Sequence, residues 1–501
     1  MMRTVADDLA AHAARHPGRV ALETPEGPVT YGRLAARTDT LSRLLGAHGA
    51  GPETVCAIAV EHGADAVAAI AAVLRTGAAF LALDVTQPRD RLAAFVRGAG
   101  TRLLLTTSAH LRTLAPDPDL PTIRLDGPAT PPGPPAAPPA PVDPHALAYV
   151  THTSGSTGAP RPVLVEHHAL DAYLRDTARA FGLGPDTVAL QTAPLGYDAS
   201  LRDTFAPLLA GGRLVIAERS RLLRPDGFAA TVRAHRVTAL LSTTPSFLAH
   251  LAGRPDLPAP LAGVGLVASS GESLRPFLAA GGRRTVPGTL VNQYGPTECT
   301  MTTTRHRVPA EPDTAADVVG TPRPGTVVRV LDAGLAAVPD GTVGEVYIGG
   351  AGLARGYGGD PARTAECFLP DPYGPPGARL YRTGDLGRWG PRGLTYAGRT
   401  DRQVKIRGYR VDPAEVEGAL LAHPRVGGAV VTAHTDERGR TYLTAHVTGD
   451  LAATKDAHLR AHLARSLPPH LMPRHFRRHD TLPTTRGGKT DRRRLTVGDT
   501  R

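Results

Sequence analysis

At 501 residues the chain exceeds what one ordinary core accommodates, which implies two or more domains. Apolar residues at 41% and charged residues at 21% are the proportions of a soluble globular protein, and no stretch approaches the ~18–20 uninterrupted apolar residues that cross a bilayer. The net charge of +11 is dispersed, and aromatics at 4% supply too few stacking platforms for a nucleic-acid surface. The first twenty residues lack the apolar core of a secretory signal. Cys56, Cys299 and Cys367 are odd in number and widely spaced, so neither a disulfide framework nor a zinc site is expected. A cytoplasmic protein follows. Of the 57 basic residues only Lys405, Lys455 and Lys489 are lysine, and a flexible point charge does what a planar guanidinium cannot.

Along the chain, helix-like and strand-like pieces alternate over the first 126 residues. AVAAIAAVLRTGAAFLALD (66–84) reads as a helix, a turn at Gly77 and a buried strand. Residues 127–142 are rich in Pro, Gly and Ala and exclude a helix or central strand. They read as a surface loop within one large domain, because the same α/β rhythm resumes at Leu147. From there to about residue 400, short apolar strands such as LVIA, LVASS, LVNQY and GEVYIGG alternate with helices and glycine turns. After Gly398 the texture changes to a charged hairpin, RTDRQVKIRGYRVDP, then the helix AEVEGALLAH and the strands GGAVVTAH and TYLTAHV. That is a separate α+β module of about 100 residues. The expected division is 1–399 and 400–501.

The strongest local signal is Leu147 to Gly158, LAYVTHTSGSTG, a strand running into a loop of hydroxyls and glycines. Backbone N–H groups and hydroxyls in such a loop surround phosphate oxygens. The GK[ST] ending of a Walker loop is missing, so this is not a P-loop NTPase.

With its context the chain resembles the ANL superfamily of acyl-CoA ligases, luciferases and nonribosomal peptide synthetase adenylation domains. Nine motifs follow in the family's order: VTYGRL (29–34), LRTGAAFLALD (74–84), TSGSTGAPRP (153–162), YDAS (197–200), NQYGPTE (292–298), GEVYIGGAGLARGY (344–357), YRTGDL (381–386), GRTDRQVKIRGYRVDPAEVE (398–417) and LPTTRGGKTDRRRL (482–495). The resemblance implies a large N-terminal domain of layered sheets and helices, α/β with a β-rich part, and a small mobile C-terminal α+β lid. It implies ATP and Mg²⁺, with Thr153, Ser154, Gly155, Ser156, Thr157 and Gly158 around the phosphates and Gly271 and Glu272 beside the nucleotide. Tyr294 would stack on adenine and Asn292 would read its amino edge. Thr297 would touch the α-phosphate. Glu298 would hold Mg²⁺, a hard cation that prefers carboxylates. Asp385 would accept from the ribose hydroxyls, with Arg399 as the second ribose contact and Asp401 as the hinge. Lys489 resembles the catalytic lysine that bridges a substrate carboxylate and the α-phosphate, two groups that otherwise repel. Lys405 resembles the residue rotated inward for the thioester step.

Three departures stand out. Pro160-Arg161-Pro162 replaces Pro-Lys-Gly, so Pro162 stiffens the loop and removes an N–H. Gly487 stands where Asn is usual, and Ser270 replaces a glycine. None removes an essential charge, so activity is expected.

Asp198 resembles the carboxylate that pairs with the amino group of an amino-acid substrate, α or β. An acyl- or aryl-CoA ligase would leave it buried and unpaired. The pocket wall implied by the resemblance comprises Ala199, Arg202, Ser242 (its register ambiguous by one residue), Val267, Ser269, Gln293, Met301 and Thr302. Arg202 either points inward, to meet a side-chain carboxylate or another acceptor, or pairs with Asp203 or a loop carbonyl. The reading is a free-standing amino-acid adenylation enzyme that loads a separate phosphopantetheinylated carrier protein, with or without the small activator protein that some relatives need, and with neither nucleic acid nor membrane. The alternatives are an acyl- or aryl-CoA ligase and a non-catalytic nucleotide-binding relative.

Overall fold

The computed structural model describes residues 3–114, 117, 119–127, 141–155, 160–253, 259–436, 440–451, 454–484 and 490–497. Two compact units emerge, one of residues 1–85, 96–151 and 162–400, the other of residues 86–95, 152–161 and 401–501. Most of the proline-rich segment 127–142 lies outside the described residues, as do Ser156, Thr157, Gly158, Gly487 and Lys489.

In the first unit the helix Ala64–Arg75 is buried at every position from Ala66 to Leu74. A helix apolar on all sides belongs between layers rather than on a surface. It ends at Thr76, and Gly77 (φ +76°) takes the left-handed conformation that turns the chain into the strand Ala79–Ala82. That strand runs parallel to Val55–Ala59, itself parallel to Leu103–Thr106. Val55–Ala59 and Leu103–Thr106 are buried throughout, as parallel strands covered on both faces must be. Among the described residues they belong to a seven-stranded sheet. Leu147–Thr153 joins it beside Ala79–Ala82.

A second sheet, of fourteen strands among the described residues, carries Ser242, Val267, Ser269, Asn292, Gln293, Tyr294, Asp385 and Arg399. Its parallel part sets Ala239–Thr243, Leu266–Ser269 and Thr289–Tyr294 side by side. At Thr289–Tyr294 the pattern switches, because Thr304–Val308 returns antiparallel to it. The antiparallel part continues through Asp317–Pro322, Gly393–Arg399 and Arg379–Gly390.

The second unit is α+β. Its hairpin Val404–Ile406 and Tyr409–Val411 turns through Arg407 (φ +52°) and Gly408 (φ +83°), two positive φ values whose twist matches that of the strands. The helix Pro413–Leu421 starts on Asp412, whose carboxylate accepts from the Ala414 amide at 3.0 Å, with Pro413 where its missing N–H costs nothing. Val411, Val416, Leu420, Ala445, Leu459 and Leu463 form its core against the strands Val426–Thr435 and Thr441–Gly449. Glu415 is buried within this unit against Arg91, and burial still pushes its carboxyl up. Among the described residues no helix is long and apolar enough to cross a membrane.

Candidate active site

Ligands of open α/β sheets gather beyond the carboxyl ends of parallel strands, and several candidate residues of the first unit sit there. Register places Thr243 opposite Ser269, and Ser269 opposite Asn292. Three strand ends therefore deliver Ser242, Ser269, Gln293 and Tyr294 to one edge. The loop after Tyr294 is tightly wound. A Cβ on Gly295 would lie 2.6 Å from the Thr303 nitrogen and 2.7 Å from the Met301 oxygen, so only glycine fits. Thr300 (φ +56°) and Met301 (φ +68°) are both left-handed, and the Thr302 amide reaches back to the Thr300 oxygen at 2.8 Å. Such strain concentrates where side chains must be aimed.

Asp198 precedes the helix Ala199–Leu209. It is half-buried, and its Oδ2 has no hydrogen-bond partner. Desolvation raises its pKa above the ordinary 3.8, opposed by the Thr297 hydroxyl, the Ala199 amide and the charge of Arg202, and reinforced by the negative charge of Glu298. Glu298 itself is 1% exposed, and its Oε1 accepts from the Tyr357 hydroxyl at 2.8 Å. Two buried carboxylates that repel one another are a site for cations. An ammonium beside Asp198 and a hard divalent ion such as Mg²⁺ on Glu298 both fit this donor set.

Arg202 lies one helical turn beyond Asp198 and is 1% exposed. Its Nε donates to Ser242 Oγ at 3.0 Å. Nη1 donates to Tyr173 Oη at 3.1 Å and Thr302 Oγ1 at 3.0 Å, and Nη2 to Ser270 Oγ at 3.3 Å. Asp203 instead accepts from the amides of Thr192 and Ala193, at 2.9 and 3.0 Å. Of the two orientations expected for Arg202, the pairing with Asp203 or a loop carbonyl is not the one seen. The guanidinium meets the expected pocket members Ser242 and Thr302. Gln293 Oε1 accepts from Thr302 Oγ1 at 3.3 Å; Val267, Ser269 and Met301 are buried, Val267 in the apolar cluster of Leu240 and Leu290, and Ala199 is half-buried.

A second cluster is built across two antiparallel strands, where Asp385 stands opposite Arg399. Asp385 accepts from Arg399 Nη1 and, at 2.7 Å, from the Tyr294 hydroxyl. Burial and this carboxylate hold the Tyr294 phenol well above its usual range. Asn292 donates from Nδ2 to the Val318 oxygen at 2.9 Å, which fixes its amide and leaves Oδ1 as the atom suited to an exocyclic amine. Gly271 (φ +90°) turns the chain before Glu272, whose carboxylate accepts from the Ser246 amide at 2.9 Å. Asp385→Ala would take the carboxylate from Arg399, whose side chain is only 10% exposed and would keep the neutral Thr383 oxygen as an acceptor. A loss of about 3 kcal/mol in urea unfolding is expected, as for other broken buried pairs, together with a raised KM for ATP.

The second unit holds Thr153, Ser154 and Gly155, with the Ser154 hydroxyl donating to the Arg410 oxygen. It also holds Asp401, which accepts from the Gln403 amide at 3.1 Å, and Lys405, opposite Arg410 in the hairpin. Pro162 is the second residue of the strand Arg161–Glu166, and its oxygen accepts from the Gly358 amide at 2.8 Å. Sequence reading missed Tyr173 and Tyr357. Tyr357 ends the GEVYIGGAGLARGY motif, a signal that was available; Tyr173 lies in a helix with no motif to mark it. A separate group, His145, Glu166 and His168, has ligand atoms within 4.8 Å of one another, but Glu166 Oε1 is already bound by Arg355 Nε at 3.0 Å.

The AMP-binding enzyme family matches residues 9–358, and the AMP-binding enzyme C-terminal domain matches residues 415–489. The chain belongs to this family and is an AMP-forming ligase, an adenylation domain of the nonribosomal peptide synthetase type within the ANL superfamily. It is 39% identical over 505 residues to the phosphinothricin tripeptide synthetase PhsC of Streptomyces viridochromogenes, covering 98% of this chain and 45% of that protein. Against a dimodular nonribosomal peptide synthase of Bacillus subtilis the identity is 36% over 500 residues, covering 96% of this chain and 20% of that one. The chain thus spans less than half the length of either relative. Among solved structures, an artificially fused adenylation–PCP di-domain, NpsA-ThdA from Klebsiella oxytoca, superimposes with a TM-score of 0.84 at 25% identity, covering 95% of this chain and 94% of that one.

Proposed function

We propose that the enzyme activates an amino acid with Mg·ATP and passes it to the phosphopantetheine thiol of a carrier protein. In the first step an oxygen of the substrate carboxylate bonds to the α-phosphorus of ATP and the bond to the β-phosphate oxygen breaks, releasing pyrophosphate. In the second the thiol sulfur bonds to the acyl carbon, the bond to the phosphate oxygen breaks, and AMP leaves with the electron pair. Residues 1–399 bind both substrates. Residues 400–501 turn about Asp401 and supply Lys489 to the first step and Lys405 to the second.

The observation that carries an amino-acid substrate is Asp198, a carboxylate oxygen without a partner, placed beside Thr297 and Glu298. Burying such a group is costly unless a cation meets it, and an ammonium does so where a fatty or aryl acid does not. Carrier loading is supported by the likeness to the adenylation–PCP di-domain. The test is pyrophosphate exchange into ATP across amino, β-amino, aryl and fatty acids, followed by loading of a phosphopantetheinylated carrier supplied in trans. Exchange restricted to acids without an amino group would sink the reading in favour of a CoA ligase.

A further inference from the structure

We propose that Arg202 closes the far end of the substrate pocket and restricts the enzyme to small amino acids, no larger than glycine, alanine or β-alanine. The inference rests on the amino-acid reading above and deepens it. Asp198 and Arg202 are four residues apart at the start of one helix, so their side chains project from the same face one turn apart. Whatever extends past an ammonium held on Asp198 along that face meets the Arg202 side chain.

Among the described residues Arg202 is the largest of the fully buried side chains. Its guanidinium fills the space where the helix, the strand carrying Ser242 and the loop carrying Thr302 converge. The packing around it is closed. Tyr173 is 0% exposed, Thr302 1% and Gln293, which holds Thr302, 2%, whereas Asp198 and Ala199 are half-buried.

Hydrogen bonds hold the plug in place. Four of the five guanidinium N–H groups end on hydroxyls. Those hydroxyls are anchored in turn, Ser242 donating to the Ala199 oxygen at 2.9 Å and Thr302 to Gln293 Oε1 at 3.3 Å. A longer substrate side chain would have to push the cation off these acceptors and leave it buried without them. An acidic side chain fares no better. Bidentate pairing would displace hydroxyls, and the field there already includes Asp198 and Asp203, both of which feel the charge of Arg202.

The test is pyrophosphate exchange with glycine, alanine, β-alanine, valine, leucine, phenylalanine, aspartate and glutamate, measured on the wild type, Arg202→Ala and Arg202→Met. For the wild type, kcat/KM is expected to fall at least about 100-fold from the best small substrate to leucine, the scale at which pockets reject excess volume. Arg202→Ala should raise leucine or phenylalanine relative to alanine by roughly tenfold or more, with the KM for ATP unchanged. Arg202→Met keeps the volume without the charge and should keep the size limit. A wild type that prefers aspartate or glutamate, or one that prefers leucine or phenylalanine, overturns the role given to Arg202 while leaving amino-acid activation standing. Exchange confined to acids without an amino group, or none with any acid, overturns the amino-acid reading and this inference with it. If a variant shows no cooperative melting transition, the wild-type series decides alone.

Discussion

Asp198→Asn is expected to lower amino-acid-dependent pyrophosphate exchange by roughly 100-fold in kcat/KM, the loss of about 3 kcal/mol that follows when a desolvated charge pair loses one member. ATP binding, measured by calorimetry, should change little. The same variant should melt at a higher temperature than the wild type in the absence of substrate. Burial raises the Asp198 pKa above its ordinary 3.8. Across the window from 3.8 up to that raised value the native state holds more protons than the unfolded chain. Stability therefore falls as pH rises through the window, and above it the full cost of an ionised Asp198 is present. Asparagine removes that cost, so the gain in melting temperature should be present at neutral pH and shrink as pH falls toward 3.8. Lost exchange with a raised melting temperature marks a carboxylate kept for its ligand. Lost exchange with a lowered melting temperature would mark a structural one and count against the assignment.

Lys489→Ala is expected to cost about 10²–10³-fold in the rate of adenylate formation, the usual effect of deleting one preorganised group that stabilises transition-state charge. The substrate carboxylate and the triphosphate are both anions, and their approach needs a cation between them. ATP affinity should survive, because the loop hydroxyls, Asp385 and Glu298 are untouched. Single-turnover formation of aminoacyl-AMP alongside ATP titration separates the two effects. An unchanged rate would show that Lys489 is not the bridging charge and would shift attention to Arg161, the basic residue of the TSGSTGAPRP loop.

The class of protein was legible in short contiguous motifs because nucleotide chemistry here rests on local backbone form. A strand followed by hydroxyls and glycines, a wound loop after NQY, and a TGD segment are each written within a dozen residues. The fold class was legible for a similar reason, since an all-apolar helix such as 64–75 and strands such as 55–59 carry their burial in their composition. The two tyrosines were harder. Tyr357 acts on Glu298 across 59 residues and Tyr173 on Arg202 across 29, and neither separation leaves a periodic trace.

Arg202 marks the boundary most clearly. The sequence alone determined that an arginine stands one turn beyond a carboxylate on a helix, because i and i+4 spacing is a property of the helix itself. Whether that arginine faces a substrate, Asp203 or a wall of hydroxyls was decided only by the tertiary structure. The partners that orient it lie 29, 40, 68 and 100 residues away in sequence. A long side chain has several staggered conformations of similar local energy, so the choice among them falls to whichever distant acceptors the fold brings within reach.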